Sequence, residues 1–282
     1  MTDAFLDTPT ANNGSLSSRV ASVAVTLPVL IVAVWAGSPW FTALVAIAAG
    51  IAAWEISAMA GIRHKALVAT VIVGSVTLIA AGDFIAGQAA IANLVAPIAL
   101  VGALAGVLAL QRLRNPSNGF LKTALVIAAI AYAGGLLLHA PLLRSQGAGM
   151  EWVLFLLAVT FATDTGAYFI GRALGKRPLA PSISPSKTWE GAVGGTLAAL
   201  AAGFVAYQFM ATQAPVWQVV ALAGIAGIAG QVGDLAESKL KRFFDAKDSG
   251  SILPGHGGIL DRLDSIVFSL PVVYYAVKWV IT

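Results

Sequence analysis

The chain has 282 residues, of which 58% are hydrophobic and only 11% charged, with a mean hydropathy of +0.85. A soluble domain carries about 25% charged residues, so a water-facing surface is excluded for most of the molecule. Cysteine is absent, which rules out disulfides, thiolate metal sites and Cys nucleophiles, and the net charge of +4 reads as membrane orientation rather than nucleic-acid binding.

Residues 1–18, MTDAFLDTPTANNGSLSS, are polar and small, and read as a disordered tail without the basic start of a secretory signal. About nine apolar stretches follow, each near the length a helix needs to cross a bilayer. They cover roughly 19–37, 39–61, 66–82, 88–111, 119–140, 150–171, 188–211, 215–243 and 258–281. Pro97 falls inside the fourth, and the eighth is long enough to project from the bilayer. The expectation is an all-α fold, a polytopic transmembrane helix bundle forming one membrane domain over 19–282.

Arg63 and Lys65 follow the second span, Arg112, Arg114 and Lys122 the fourth, and Arg172, Lys176, Arg177 and Lys187 the sixth. Lys239, Lys241, Arg242, Lys247 and Arg262 surround the link from the eighth to the ninth. Of the basic residues, only Arg144 and Lys278 fall on the other side. Positive residues stay in the cytosol, which puts the N-terminus there as well.

Acids also gather at that face. Glu55 lies near the inner end of the second span, Asp164 in the sixth, and Glu190 at the start of the seventh. Asp234 and Glu237 lie toward the inner end of the eighth, and Asp261 and Asp264 begin the ninth. A charge at the bilayer centre costs at least about 2.5–3.5 kcal/mol, so each needs a reason. Asp234, Glu237 and Ser238 share one helix face by their spacing, as do Asp261 and Asp264. The turn-rich link SGSILPGHGG lets the two helices run antiparallel, so their acidic ends can face each other. Hard-cation sites are built this way, with room left for substrate phosphates. Interfacial salt bridges to Lys239, Lys241, Arg242 and Arg262 are the plainer alternative for any single acid. Between the sixth and seventh spans, GRALGKRPLAPSISPSKTWEGAVGG supplies Ser182, Ser184, Ser186, Thr188, Lys176, Arg177 and Lys187. Such donors suit phosphate, and the helix that follows adds its dipole. An ordinary positive-inside loop is the alternative.

The stretch Ser238 to Asp264, SKLKRFFDAKDSGSILPGHGGILDRLD, resembles the signature of phosphatidate cytidylyltransferases, also called CDP-diacylglycerol synthases. The matching positions are Ser238, Lys241-Arg242, Lys247-Asp248, Gly250, Leu253, Pro254, His256-Gly257-Gly258, Asp261-Arg262 and Asp264. The run from Asp164 through Ala167-Tyr168, Gly171, Gly175-Lys176, Ser184-Pro185, Lys187-Thr188 and Glu190-Gly191 is similar too, so the resemblance is sharp over about 160–270. The first five spans match only in being hydrophobic. Ser186 departs from the basic residue expected in many relatives.

The resemblance implies transfer of the cytidylyl group of CTP to phosphatidate, giving CDP-diacylglycerol and pyrophosphate at the cytoplasmic side of a bacterial inner membrane. It implies Mg²⁺ with a second monovalent cation such as K⁺. Asp234 and Asp261 become the metal ligands, with Asp264 and Asp248 as further candidates; Asp264 alternatively holds Arg262 or Lys241. Lys241, Arg242, Lys247 and Arg262 would hold the triphosphate. Ser184, Ser186 and Lys187 would hold a lipid or nucleotide phosphate, while Asp164 and Glu190 orient the cations or bind metal indirectly. Lys176, Glu237, Ser238, Gly257 and Gly258 complete the substrate-binding set. His256 is the one candidate base, and its Gly-rich setting favours a structural or phosphate-donor role. Expected partners are CTP, phosphatidate and membrane lipids, without nucleic acid; a homodimer is left open. A CTP-dependent lipid kinase and an ion-coupled transporter are the rival readings. A CDP-alcohol phosphotransferase would need a DGxxAR…GxxxDxxxD pattern, which the chain lacks.

Overall fold

The computed structural model describes residues 16–62, 64–110, 119–250, 252 and 257–281. Arg63, Arg112, Arg114, Leu253, Pro254 and His256 lie outside the described residues, as does the expected tail up to residue 15.

Helices α1 (Leu16–Ala36), α2 (Trp40–Met59), α3 (Lys65–Ala86) and α4 (Ala89–Leu110) come first. The next apolar stretch is α5 (Gly119–Ile130), a π-helical turn over Ala131–Gly135, and the short α6 (His139–Arg144). Then come α7 (Gly149–Leu174), strands β1 (Pro178–Ala180) and β2 (Ser184–Thr188), α8 (Trp189–Tyr207), α9 (Val216–Phe243) and α10 (Leu260–Ala276), which ends in a π-helical turn over Val277–Ile281.

Among the described residues, seven helical segments are long and apolar enough to cross a membrane: Trp40–Met59, Lys65–Ala86, Lys122–Arg144, Gly149–Leu174, Trp189–Tyr207, Val216–Phe243 and Leu260–Ile281. Two shorter apolar stretches, Ala24–Ala36 and Ala90–Gly106, fall at the first and fourth expected spans. Large apolar side chains such as Phe84 and Trp217 stand exposed on the outside. In a bilayer the outer surface faces lipid, and backbone polar groups must be satisfied within helices. The protein is thus an integral membrane helix bundle.

One departure from an all-helical chain is the antiparallel pair β1–β2, with Pro178 opposite Thr188 and Ala180 opposite Ser184. Pro178, Pro181 and Pro185 hold φ near the extended range and push their predecessors there too, so this loop cannot continue a helix.

The helices place their ends on two faces. Arg144 Nε donates to the Val34 carbonyl at 2.9 Å, and the Ala211 amide donates to Glu151 Oε2 at 2.7 Å; both ties lie at one face. At the other, the end of α2 meets the α9–α10 link, where the Leu260 amide donates to Glu55 Oε2 at 2.8 Å. Arg242 Nε donates to the Ile183 carbonyl at 3.4 Å, bringing the β1–β2 hairpin to the same face.

Close helix approach builds the site. A Cβ on Gly166 would lie 2.9 Å from the Gly194 carbonyl oxygen, so α7 and α8 run in direct backbone contact. A Cβ on Gly233 would lie 2.9 Å from Phe268 Cβ and would strike the Asp264 carbonyl oxygen. Glycine at 233 therefore lets α10 lie against α9 with Asp264 beside Asp234.

Candidate functional site

The C-terminal part of α9, the first two turns of α10, the inner end of α7 and the β2–α8 junction converge at one face. Asp234 and Glu237 project from one side of α9, three residues apart. Asp264 projects from α10 toward them. One carboxylate oxygen from each of Asp234, Glu237 and Asp264 lies within 4.8 Å of the other two. Glu237 is fully buried, and Asp234 keeps 29% of its side chain exposed, so the group is closed on one side and open on the other.

Two lysines flank these acids. Lys187 Nζ stands 2.5 Å from Asp234 Oδ2. Lys241 Nζ stands 2.6 Å from Glu237 Oε2 and 2.7 Å from Asp261 Oδ1. Lys187 Nζ and both Glu237 oxygens are buried and make no hydrogen bond of regular geometry. Close ion pairs hold them. Ser238 Oγ donates to Asp234 Oδ1 at 3.4 Å.

A groove of about 490 Å³ opens beside Asp234, lined by Asp164, Tyr168, Arg172, Ser186, Lys187 and Gln231 among others. Asp164 Oδ1 accepts from Ser265 Oγ at 3.4 Å, tying α7 to α10. Gln231 Nε2 reaches the Ala192 carbonyl at 3.3 Å and Thr196 Oγ1 at 3.2 Å, fixing the groove's α8–α9 wall. Thr188 caps α8: its Oγ1 accepts from the Gly191 amide at 3.1 Å. That cap places the helix start, where backbone N–H groups favour an anion, next to Ser186 and Lys187.

The expected site residues separate into distinct sets. Asp234, Glu237 and Asp264 come together, and Lys187, Ser186 and Asp164 lie around them. Asp261 lies beside Glu237, bridged to it by Lys241. Its carboxylate is already occupied by Lys241, by the Gly258 amide at 2.9 Å and by the Ser249 amide at 3.0 Å. The helical spacing of Asp261 and Asp264 put both on one face, but the preceding link folds back and claims the first of them. Glu190 does not face the acids: its Oε2 accepts from the amides of Lys176 at 3.1 Å and Arg177 at 3.2 Å, pinning the hairpin's entry turn. Lys176, Arg242, Lys247, Asp248 and Arg262 are exposed at this face, and Arg242 Nη1 donates to the Ala246 carbonyl at 3.3 Å. Ser184 sits in the β-ladder rather than in the groove lining. Gly257 adopts φ +79°, the left-handed region where a side chain is strained, and Gly258 follows it into the contact with Asp261.

Three residues outside the expected set also belong here. Glu55, from α2, is fully buried and accepts from Ser249 Oγ at 3.1 Å, the Ile259 amide at 3.0 Å and the Leu260 amide. Its charge in an apolar span was the available signal. Gln231 carried none, being one amide in an apolar helix. Tyr132 lies in the π-helical turn, packs edge-on against Phe268 and keeps a buried hydroxyl without a hydrogen-bond partner. Only a local break in helical geometry, invisible to periodicity, turns it inward.

The chain matches the model of the "Cytidylyltransferase family" over residues 17–280. It is similar to a protein named "Phosphatidate cytidylyltransferase" from Brucella suis biovar 1, 47% identical over 148 residues, covering 52% of this chain and 54% of that one. A protein of the same name from Staphylococcus saprophyticus is 44% identical over 154 residues, 55% of this chain and 58% of its own. The matched stretch thus spans about half the length of these curated relatives. Since the family model takes in nearly the whole chain, through the acid group, its flanking lysines and the groove, the protein belongs to the cytidylyltransferase family.

Proposed function

We propose that the protein transfers the cytidylyl group of CTP to phosphatidate, releasing CDP-diacylglycerol and pyrophosphate. The observation that carries this reading is the meeting of three carboxylates, from Asp234, Glu237 and Asp264, with Lys187 and Lys241 beside a groove set in an apolar bundle. The relatives named above support the choice of phosphatidate as acceptor.

In this reaction a phosphate oxygen of phosphatidate forms a bond to the α-phosphorus of CTP, and the bond from that phosphorus to the bridging oxygen of pyrophosphate breaks. A phosphomonoester has a second pKa near about 6, so the acceptor is largely dianionic at neutral pH and no residue must remove a proton. The protein's task is positioning and charge neutralisation. Lys187 and Ser186 hold the lipid phosphate in the groove. Lys241, Arg242, Lys247 and Arg262 gather around the triphosphate.

Mg²⁺ fits the acid group: all donors are hard oxygens, and one from each acid lies within 4.8 Å of the others. Asp234, Glu237 and Asp264 would hold it, leaving room for substrate phosphates. Bound there, Mg²⁺ would neutralise charge developing on the phosphates. Asp164 and Ser265 supply further oxygens for a second, monovalent cation. On this reading the face lies in the cytosol, with the N-terminus on the same side of a bacterial inner membrane; the basic loops support that orientation through the positive-inside rule.

The test is purified protein with CTP, phosphatidate and Mg²⁺, followed by lipid product analysis. CDP-diacylglycerol and pyrophosphate in equal amounts are expected. A phosphorylated lipid with CDP would identify a kinase instead, and no CTP-dependent lipid product under varied lipid and cation conditions would end the proposal.

A further inference from the structure

Glu55 stands about 200 positions upstream of the groups it binds, in a helix far outside the signature stretch 238–264. A carboxylate buried in this way is costly unless donors surround it. Here Ser249 Oγ, the Ile259 amide and the Leu260 amide do so, at 3.1, 3.0 and 2.8 Å. The two amides belong to the start of α10, whose first N–H groups have no partner within the helix. A negative charge there also meets the positive end of the helix dipole.

The α9–α10 link is shaped around this carboxylate. A Cβ on Gly250 would lie 2.6 Å from Glu55 Oε1, and so would a Cβ on Gly258. Two glycines of the signature are therefore explained by an acid far outside it. Ser249 carries the contact onward: its Oγ accepts from the Asp261 amide at 3.3 Å, and its own amide donates to Asp261 Oδ2. Asp261 holds Lys241, and Lys241 holds Glu237. Asp264 lies one helical turn beyond Leu260.

We infer that Glu55 is a positioning residue: by fixing the first turn of α10 together with Ser249, Gly250 and Gly258, it sets Asp264 and, through Asp261 and Lys241, Glu237 at the spacing that makes the acid group. The kinetic part of its test rests on the proposed cytidylyl transfer; the labelling part does not.

The natural chain has no cysteine, so Ile252→Cys, on the half-exposed outside of the link, gives a single reporter. In membranes, Glu55→Gln in that background turns one acceptor into a donor facing donors, and the maleimide labelling rate of position 252 rises about tenfold. Without the reporter, Glu55→Gln lowers kcat by about ten- to a hundredfold and raises the Mg²⁺ concentration for half-activation, while the KM for CTP moves less than about threefold. Faster labelling with unchanged kcat and Mg²⁺ response would make Glu55 a structural anchor only and overturn the inference, as would no change in either readout. If Glu55→Gln does not accumulate as folded protein, Ser249→Ala removes one donor and the bridge to Asp261. It must shift labelling and kcat the same way by a smaller factor, and an unchanged Ser249→Ala would likewise overturn the inference. A parent protein that makes no CDP-diacylglycerol refutes the transfer reading, whereas labelling still decides whether Glu55 anchors the link.

Discussion

Replacing Asp264 with Asn separates metal binding from stability, because it is expected to move the two in opposite directions. One oxygen of each acid lies within 4.8 Å of the others, and two unit charges at that separation repel by about 3.5 kcal/mol at an effective dielectric of about 20. Asp264 makes two such contacts, with Asp234 and Glu237. Lys187 and Lys241 offset much of this, since each stands within 2.6 Å of one of the acids. A net relief of at most about 1–3 kcal/mol remains when the third charge is removed in the absence of divalent cation, and less where the acid group takes up a proton. Asn keeps the shape and the acceptor oxygen, so packing against Gly233 should persist. In thermal unfolding of detergent-purified protein with chelator, Asp264→Asn should melt at or above the parent. With added Mg²⁺ the parent should rise, as any ligand bound only by the folded state requires, while the variant should lose most of that response and its turnover. A variant that keeps the parent's Mg²⁺ shift and activity would remove Asp264 from the cation site.

Asp261→Asn should behave in the reverse way: it strips Lys241 of one partner and weakens acceptance from Ser249 and Gly258, so thermal unfolding should show a loss of about 3 kcal/mol. Native stability with abolished turnover would instead make Asp261 a metal ligand. Lys187→Met should raise the KM for phosphatidate about tenfold in mixed-micelle assays and leave that for CTP within about twofold, one charge-assisted phosphate contact being worth that factor. Thr188→Ala removes the cap on Gly191 and should cost about 1 kcal/mol, measured by unfolding in a denaturing detergent.

The helical architecture was legible because a bilayer imposes one pattern: long apolar runs, charges at their ends. The β1–β2 hairpin was not, because the prolines that stiffen its loop mark the end of a helix without saying which extended partner follows. Asp234 and Asp264 were legible as acids in the wrong solvent, placed by helical spacing on facing sides. The same logic singled out Asp261, and the structure adds that Lys241 ties it to Glu237. Spacing says which residues share a face, but it does not say which neighbouring amides reach a carboxylate first. Asp261 begins its helix, where free N–H groups and the returning link compete for it. Glu237 lies mid-helix, where backbone amides are already paired, so its charge is left to Lys241 and to whatever cation enters. Glu55 follows from the same competition read at longer range. An acid buried at the end of α2 must find donors, and the nearest unpaired amides are those of α10, about 200 residues away in sequence. An intramembrane acid is therefore best read by asking which unpaired backbone groups lie within reach, and in this protein that question separates the acids that accept from backbone amides of the links, Glu55, Asp261 and Glu190, from Asp234 and Glu237, whose side chains meet lysines instead.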